Sequence, residues 1–275
     1  MRPFRQVDVF SAERYLGNPV AVVHDADGLT DGIMAAFARW TNLSESAFLL
    51  RPNDPGADYR VRIFTPEGEL PFAGHPTIGS AHAWLEAGGT PRRDHLVQEC
   101  GVGLVRLRRN GGRLAFAAPD LVRHGPVGDD VLAQVTEPIG LAPGDVVDAR
   151  WFDDDSGWVA LRLASAQRVL EVVPDFAAIV RDTGLVGPYP AGGEFAAEVR
   201  ALCPPSSGIT EDPVTGSLNA RLAQWLGGTV LPASYAASQG TVLGRRGRIY
   251  LDKVADGTTW VGGDACTTIA GTVMV

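Results

Sequence analysis

The chain carries only three cysteines in 275 residues, Cys100, Cys203 and Cys266, an odd number at wide spacing. Such usage reads as reduced, buried thiols and excludes a disulfide-stapled secreted scaffold. Basic residues are also scarce: 24 Lys and Arg against 32 Asp and Glu leave a formal charge of −8. That is the wrong sign for a nucleic-acid surface. No uninterrupted apolar run reaches the ~18 residues of a membrane span. The opening stretch from Met1 to Asp8 lacks the apolar segment and small-residue cleavage site of a secretory signal. A cytoplasmic protein with no nucleic-acid or membrane partner is expected. The five histidines are scattered, with no HxxxH or CxxC pair, so no metal is expected. No G-x-G-x-x-G follows a strand, and there is no P-loop lysine and no G-x-S-x-G elbow. Nucleotide cofactors and serine hydrolysis therefore lack support.

What is present is an ordinary globular composition, 45% hydrophobic and 20% charged, long enough for two lobes. Phe4–Phe10 and Val20–Val23 read as strands about a Gly17-Asn18-Pro19 turn. Thr30 is expected to cap a helix through Ile33, Met34, Phe37 and Trp40, where the apolar spacing is helical. Phe48–Leu50 and Tyr59–Phe64 follow as strands, then a helix from Pro76 to Glu86 ended by Gly88-Gly89. Leu96–Glu99, Gly103–Arg108 and Leu114–Ala117 complete a strand-rich first half. Pro119–Gly144 has weak periodicity and is expected to be the crossover between lobes. Trp158–Leu163 resumes strand character, Pro174–Thr183 is expected as a short surface helix, and Phe195–Leu202 as a strand. A third helix follows Pro213 and ends at Gly227-Gly228. Mixed strands around a few helices predict an α+β architecture. The expected lobes are 1–118, completed by 262–275, and 119–261.

An internal repeat stands out. His75-Pro76-Thr77-Ile78-Gly79-Ser80 matches Asp212-Pro213-Val214-Thr215-Gly216-Ser217 as x-P-x-x-G-S, 137 residues apart. Each precedes an amphipathic segment with a Trp-Leu pair near its end, and the stretch around Gln98 echoes that around Gln239. Proline suits the first helical position. Asp212 is expected to cap its helix, with His75 at the corresponding place. Were the lobes to face each other, two helix starts would converge on one cleft. Their free amides and partial positive charge would hold a carboxylate or oxyanion. A small anionic organic acid is the natural ligand of such a cleft. The blander alternative is that both prolines only begin helices and both polar residues only cap them.

His75 sits in a constrained Gly-His-Pro loop, and imidazole is the usual proton shuttle near pH 7. Glu45 lies just before an apolar strand, where burial raises a carboxyl towards neutrality and suits it to general base and acid work. Its alternative is an ordinary solvated turn glutamate. Gly216 and Ser217 would present a backbone amide and a hydroxyl to a ligand. The Gly244-Arg245-Arg246-Gly247-Arg248 turn is basic, and pairing with acidic neighbours is its commoner use.

Several of these segments together resemble the PhzF-like (phenazine biosynthesis) family. They are Leu16-Gly17-Asn18-Pro19-Val20-Ala21-Val22, Asn42-Leu43-Ser44-Glu45-Ser46, the loop from Pro71 to Gly79, Glu211-Asp212-Pro213-Val214-Thr215-Gly216-Ser217, and Gln239-Gly240 with Gly244-Arg245. The resemblance implies a diaminopimelate-epimerase-like fold, two pseudo-symmetric lobes, each a curled sheet around a central helix. It also implies isomerisation of trans-2,3-dihydro-3-hydroxyanthranilate without metal or organic cofactor, and a homodimer. Glu45 would carry the proton, with His75 and Asp212 assisting. Asn18, Ser44, Gly74, Gly216 and Ser217 would bind the substrate. Arg246-Gly247 departs from the family's Pro-Ser, which bears on substrate or dimer surface. The two facing cysteines of racemases on this fold have no counterpart in either loop. Two other readings fit the residues: a related isomerase or epimerase of another amino or hydroxy acid, and a non-catalytic binder of small acids.

Overall fold

A computed structural model of the chain describes residues 1–119, 124–152 and 157–275. These divide into two units, Met1–Ala117 with Val261–Val275, and Ala118–Trp260.

In the first unit, β1 (Arg2–Val9) pairs antiparallel with β2 (Asn18–Val23). The chain then crosses over through α1 (Asp31–Thr41) to β3 (Ser46–Leu50), which lies parallel to β2. Every residue of β3 is buried, as expected for a parallel strand covered on both faces. β4 (Tyr59–Phe64) runs antiparallel to β3, and the short β5 (Glu69–Leu70) antiparallel to β4. After α2 (Gly74–Glu86), β6 (Leu96–Cys100) returns parallel to β4. β7 (Gly103–Asn110) and β8 (Arg113–Ala117) follow as antiparallel neighbours.

The two helices do different work. α1 begins at Thr30, whose hydroxyl accepts from the Ile33 amide at 3.3 Å, and ends at Asn42 in the left-handed region. Its one buried stripe, Met34, Phe37 and Ala38, packs on Ala21, Val23, Phe48 and Phe64. α2 is buried from Gly74 to Ala81 and touches β1, β2, β3, β6 and β8, so the sheet curls around it. Gly79 makes this approach possible, because a Cβ there would lie 2.4 Å from Val20 Cγ1.

The second unit adds β9 (His124–Pro126) and α3 (Asp129–Thr136) and then repeats the plan. β10 (Val146–Phe152) and β11 (Trp158–Leu163) pair antiparallel. α4 (Ala166–Glu171) crosses to β12 (Thr183–Pro188), parallel to β11. β13 (Ala197–Leu202) is antiparallel to β12 and to the two-residue β14 (Glu211–Asp212). α5 (Gly216–Leu226) leads to β15 (Ser234–Gln239), parallel to β13, and β16 (Gly247–Lys253) closes antiparallel on β15. β17 (Thr259–Gly263) follows, and β18 (Ala265–Val273) returns to the first unit, antiparallel to β1. α4 and α3 cover one face of this sheet through Val169, Val172, Val135 and Ile139 on Val159, Leu161 and Leu185.

Several expectations need correction. Trp40 continues the helical spacing of α1 but is 82% exposed, because Ala38 completes the buried stripe instead. The surface helix expected at Pro174–Thr183 is only a 3-10 turn, Phe176–Ala178. The true helix α4 lies upstream, where Ser165 accepts from the Arg168 amide and Pro174 stands after its end. The stretch from Pro119 to Gly144, expected as a bare crossover, contains β9 and α3; its residues 120–123 lie outside the described residues. The repeat is also read in the wrong register at 137. Gly74 and Gly216 both begin their helices and are 142 apart, whereas Trp84 and Trp225, like Gln98 and Gln239, are 141 apart. The x-P-x-x-G-S match therefore does not superpose equivalent turns. Pro76 is the third residue of α2, whereas Pro213 precedes α5 by three residues.

Candidate active site

In the first unit, the turn before β2 delivers Asn18 into the interior. The Gly17 amide donates to Asp8 Oδ2 at 3.2 Å, and a Cβ on Gly17 would fall 2.2 Å from the Val9 carbonyl oxygen. Only glycine passes so close to β1. Asn18 is fully buried, and its Nδ2 lies 3.4 Å from His75 Nδ1. His75 is the second residue of α2, within the first turn rather than at the cap, which is Ala73 with no side-chain bond. Its other ring nitrogen, Nε2, is 3.3 Å from Glu45 Oε2. Glu45 stands immediately before β3, 15% exposed, while His75 is 3% exposed.

Burial pushes the His75 imidazole down to about 3, against a partial upward pull from a hydrogen bond to the Pro19 backbone. The ring is therefore neutral near pH 7. Its contact with Glu45 is one between an uncharged imidazole and a carboxyl group, not an ion pair. Gly74, the residue before His75, is the first of α2 and is buried. Ser44 precedes Glu45 and is half-buried.

Behind this group lies a buried chain of hydrogen bonds. Tyr59 Oη donates to Gln98 Oε1 at 3.1 Å, and Gln98 Nε2 donates to Thr77 Oγ1 at 3.0 Å. Thr77 Oγ1 then donates to the Ala73 carbonyl at 2.8 Å. A strand residue thereby pins the first turn that carries His75. Burial drives the Tyr59 phenol well above its ordinary range, so it stays a donor.

The second unit has a different arrangement at its helix start. Asp212 is 8% exposed and lies on β14, opposite Ala201. It does not cap α5: the cap position is Thr215, which makes no side-chain capping bond. Instead, Thr215 Oγ1 donates to Asp212 Oδ2 at 2.6 Å. Gly216 and Ser217 are the first two residues of α5, where backbone amides have no partner within the helix. β14 is anchored by a buried ion pair that sequence spacing did not reveal. Arg200 Nε and Nη2 meet Glu211 Oε1 and Oε2 at 2.9 and 2.8 Å. Arg200 Nη1 also donates to the Val169 and Val172 carbonyls at 3.2 and 2.6 Å, tying the end of α4 to the sheet. In the basic turn, Arg248 lies 4.2 Å from the centre of the Phe195 ring and donates to Ser238 Oγ.

The structure thus groups Asn18, Gly74, His75 and Glu45 in the first unit, and Asp212, Gly216 and Ser217 in the second. Among the described residues, no helix is long and apolar enough to cross a membrane.

Residues 7–271 match the family model described as phenazine biosynthesis-like protein. The chain is similar to antisense-enhancing sequence 1 of Schizosaccharomyces pombe, at 36% identity over 98% of this chain and 97% of that one. It is similar to a trans-2,3-dihydro-3-hydroxyanthranilate isomerase of Pseudomonas aeruginosa, at 34% identity over 91% and 90% of the two chains. A phenazine biosynthesis protein of the PhzF family from Bacillus anthracis has the same fold, with a TM-score of 0.83 at 20% identity, covering 100% and 99% of the chains. With the repeated curled sheets, the helix each surrounds and these likenesses, the chain belongs to the phenazine biosynthesis-like (PhzF) family of isomerases and is an enzyme of that class.

Proposed function

We propose that the protein is a cofactor-independent isomerase that moves a proton within a small, carboxylate-bearing, hydroxylated substrate of the trans-2,3-dihydro-3-hydroxyanthranilate type. The observation that carries this reading is the 3.3 Å contact between Glu45 Oε2 and a neutral His75 Nε2. A spectator carboxylate would be expected to meet a cation; this one meets an uncharged ring.

Glu45 takes a proton from a substrate carbon and returns it to another carbon on the same face. A neutral imidazole carries one N–H, so it can present either a donor or an acceptor. The hydrogen bond of the ring to the Pro19 backbone occupies that N–H, so Nε2 faces Glu45 as an acceptor, the partner a carboxylic acid needs once Glu45 has taken the proton. Asn18, Ser44 and Gly74 contribute substrate contacts around this pair. Asp212 assists as a fixed acceptor, and Gly216 and Ser217 offer amides and a hydroxyl to the substrate carboxylate.

The test pairs wild type with Glu45→Gln, using trans-2,3-dihydro-3-hydroxyanthranilate in deuterated water. Wild type should give isomer with deuterium at carbon. The variant should give neither product nor exchange, yet still be stabilised thermally by the acid. Retained turnover in the variant would remove Glu45 as the proton carrier. Thermal stabilisation of wild type without exchange, on this acid and on a panel of amino and hydroxy acids, would make the protein a binder rather than an isomerase.

A further inference from the structure

The hydrogen bonds around Asp212 have a direction that can be read without ambiguity. Gln239 Oε1 accepts from the Thr215 backbone amide at 3.0 Å and from Asn219 Nδ2 at 2.8 Å. Gln239 Nε2 donates to the Asp212 backbone carbonyl at 3.1 Å and to Thr215 Oγ1 at 3.0 Å. A backbone amide only donates and a backbone carbonyl only accepts, so both ends of the Gln239 amide are fixed by groups that cannot switch roles. Thr215 Oγ1 must therefore accept from Gln239. Its single proton goes to Asp212 Oδ2, 2.6 Å away. All four residues are buried.

We propose that Thr215, held by Gln239, is a positioning residue that fixes the orientation of Asp212 and keeps it a hydrogen-bond acceptor. The inference rests on Asp212 serving the reaction proposed above. A hydroxyl committed to one carboxylate oxygen favours the ionised form, because the protonated form forfeits acceptor strength. Asn219 locks the far side of the same amide and also donates to the Thr215 carbonyl at 2.9 Å. The relay runs from a strand, β15, through the helix start to β14, so Asp212 is set by two elements rather than by its own rotamer alone.

Thr215 makes no capping bond with its side chain, and replacing its hydroxyl removes one bond from Gln239 but keeps the bond of the Thr215 backbone amide to Gln239 Oε1 at the helix start. The expected result for Thr215→Val is a kcat/KM about 10- to 100-fold below wild type on trans-2,3-dihydro-3-hydroxyanthranilate, the range for losing a hydrogen bond to a charged group. Thr215→Ser should stay within about threefold, since it keeps the hydroxyl. A second readout needs no substrate: the 13C carboxyl signal of Asp212, assigned by its loss in Asp212→Asn and titrated in the free protein. Its midpoint should rise in Thr215→Val and stay put in Thr215→Ser.

The charged side chains on the elements about Asp212 are Glu198 and Arg200 of β13, Glu211 of β14 and Arg221 of α5, with Arg245 beside Gly240 next to the Pro213 carbonyl. All are common to both variants, so the contrast isolates the hydroxyl. Thr215→Ala provides the same contrast should the valine variant fold poorly. An unchanged Asp212 titration in the valine and alanine variants would overturn the relay. A shifted titration with unchanged turnover would overturn the positioning role. Retained activity in Glu45→Gln would fall on the role of Glu45 alone, and absence of exchange in wild type on the isomerase reading, because the titration depends on neither.

Discussion

The two helix starts, α2 and α5, are built on one plan and differ in where one proton points. In each unit a buried glutamine on the strand after the helix donates to a threonine hydroxyl at the helix start, Gln98 to Thr77 and Gln239 to Thr215. In the first unit that hydroxyl donates onward to a backbone carbonyl, Ala73, and the bond is purely structural. In the second it donates to a carboxylate, Asp212. The shared device holds a helix start; the diverged device holds a side chain with chemistry. A repeat can thus commit the same hydroxyl to backbone in one unit and to a carboxylate in the other by moving a threonine relative to the helix.

The strongest break in this comparison is Glu211→Leu. It leaves Arg200 charged, buried and unpaired, so a loss of about 3–5 kcal/mol in unfolding free energy is expected. Amide exchange should accelerate through α4, β13 and β14 while β2, β3 and α2 keep their protection. Uniform loss across both units would show that the pair does not act locally.

A smaller effect sharpens the contrast between the glutamines. Gln98→Leu strips partners from the Tyr59 hydroxyl and from Thr77, costing roughly 1–3 kcal/mol by denaturant unfolding. The Asp212 carboxyl titration should not move. If it does, the two devices are not separate.

The smallest expected effect comes from His75. Its folded value lies near 3 and its ordinary value is 6.5, so below about 6.5 the unfolded chain binds a proton that the folded chain refuses. Stability is unaffected by this group above that point. It falls as pH drops towards 3, with a slope approaching about 1.4 kcal/mol per pH unit. Between pH 6.5 and 5 the loss should be about 1–2 kcal/mol by urea titration. His24 and His82 are also lowered by burial, so the His75 share is the part that disappears in His75→Gln. An equal pH dependence in that variant would mean the ring is not held neutral.

Much of the fold was legible because the signals were local. Thr30 with Ile33 and Met34 marks α1, and the double glycines mark the ends of α2 and α5, since caps act within one turn of the residues they cap. The resemblance brought Glu45 and His75 into one group, and the structure places them in contact. Their adjacency joins a strand end to a helix start 30 residues on, which no spacing rule encodes. The partners of Asp212 were harder to see. Thr215 sits three residues away with a hydroxyl that looks like a cap, and Gln239 comes from another strand. Arg200 and Glu211 meet diagonally between β13 and β14, where Glu211 stands opposite Leu202, and a sequence shows neither the register nor the burial. The repeat misled by its letters: identical proline, glycine and serine at 137 outweighed the glycine, tryptophan and glutamine positions at 141–142 that the backbone obeys.

One feature of the topology bears on how the chain reaches its native state. β1 finds its partner in β18, with Arg2 facing Val273, while β9 to β16 all lie between. During synthesis at ~5–20 residues per second, the second unit can complete its strands while β1 still lacks one neighbour. The usual order, in which earlier residues finish folding first, is therefore reversed. A pairing of such sequence separation is slow to form, and until it does, the first unit holds an open strand edge of the kind that invites aggregation.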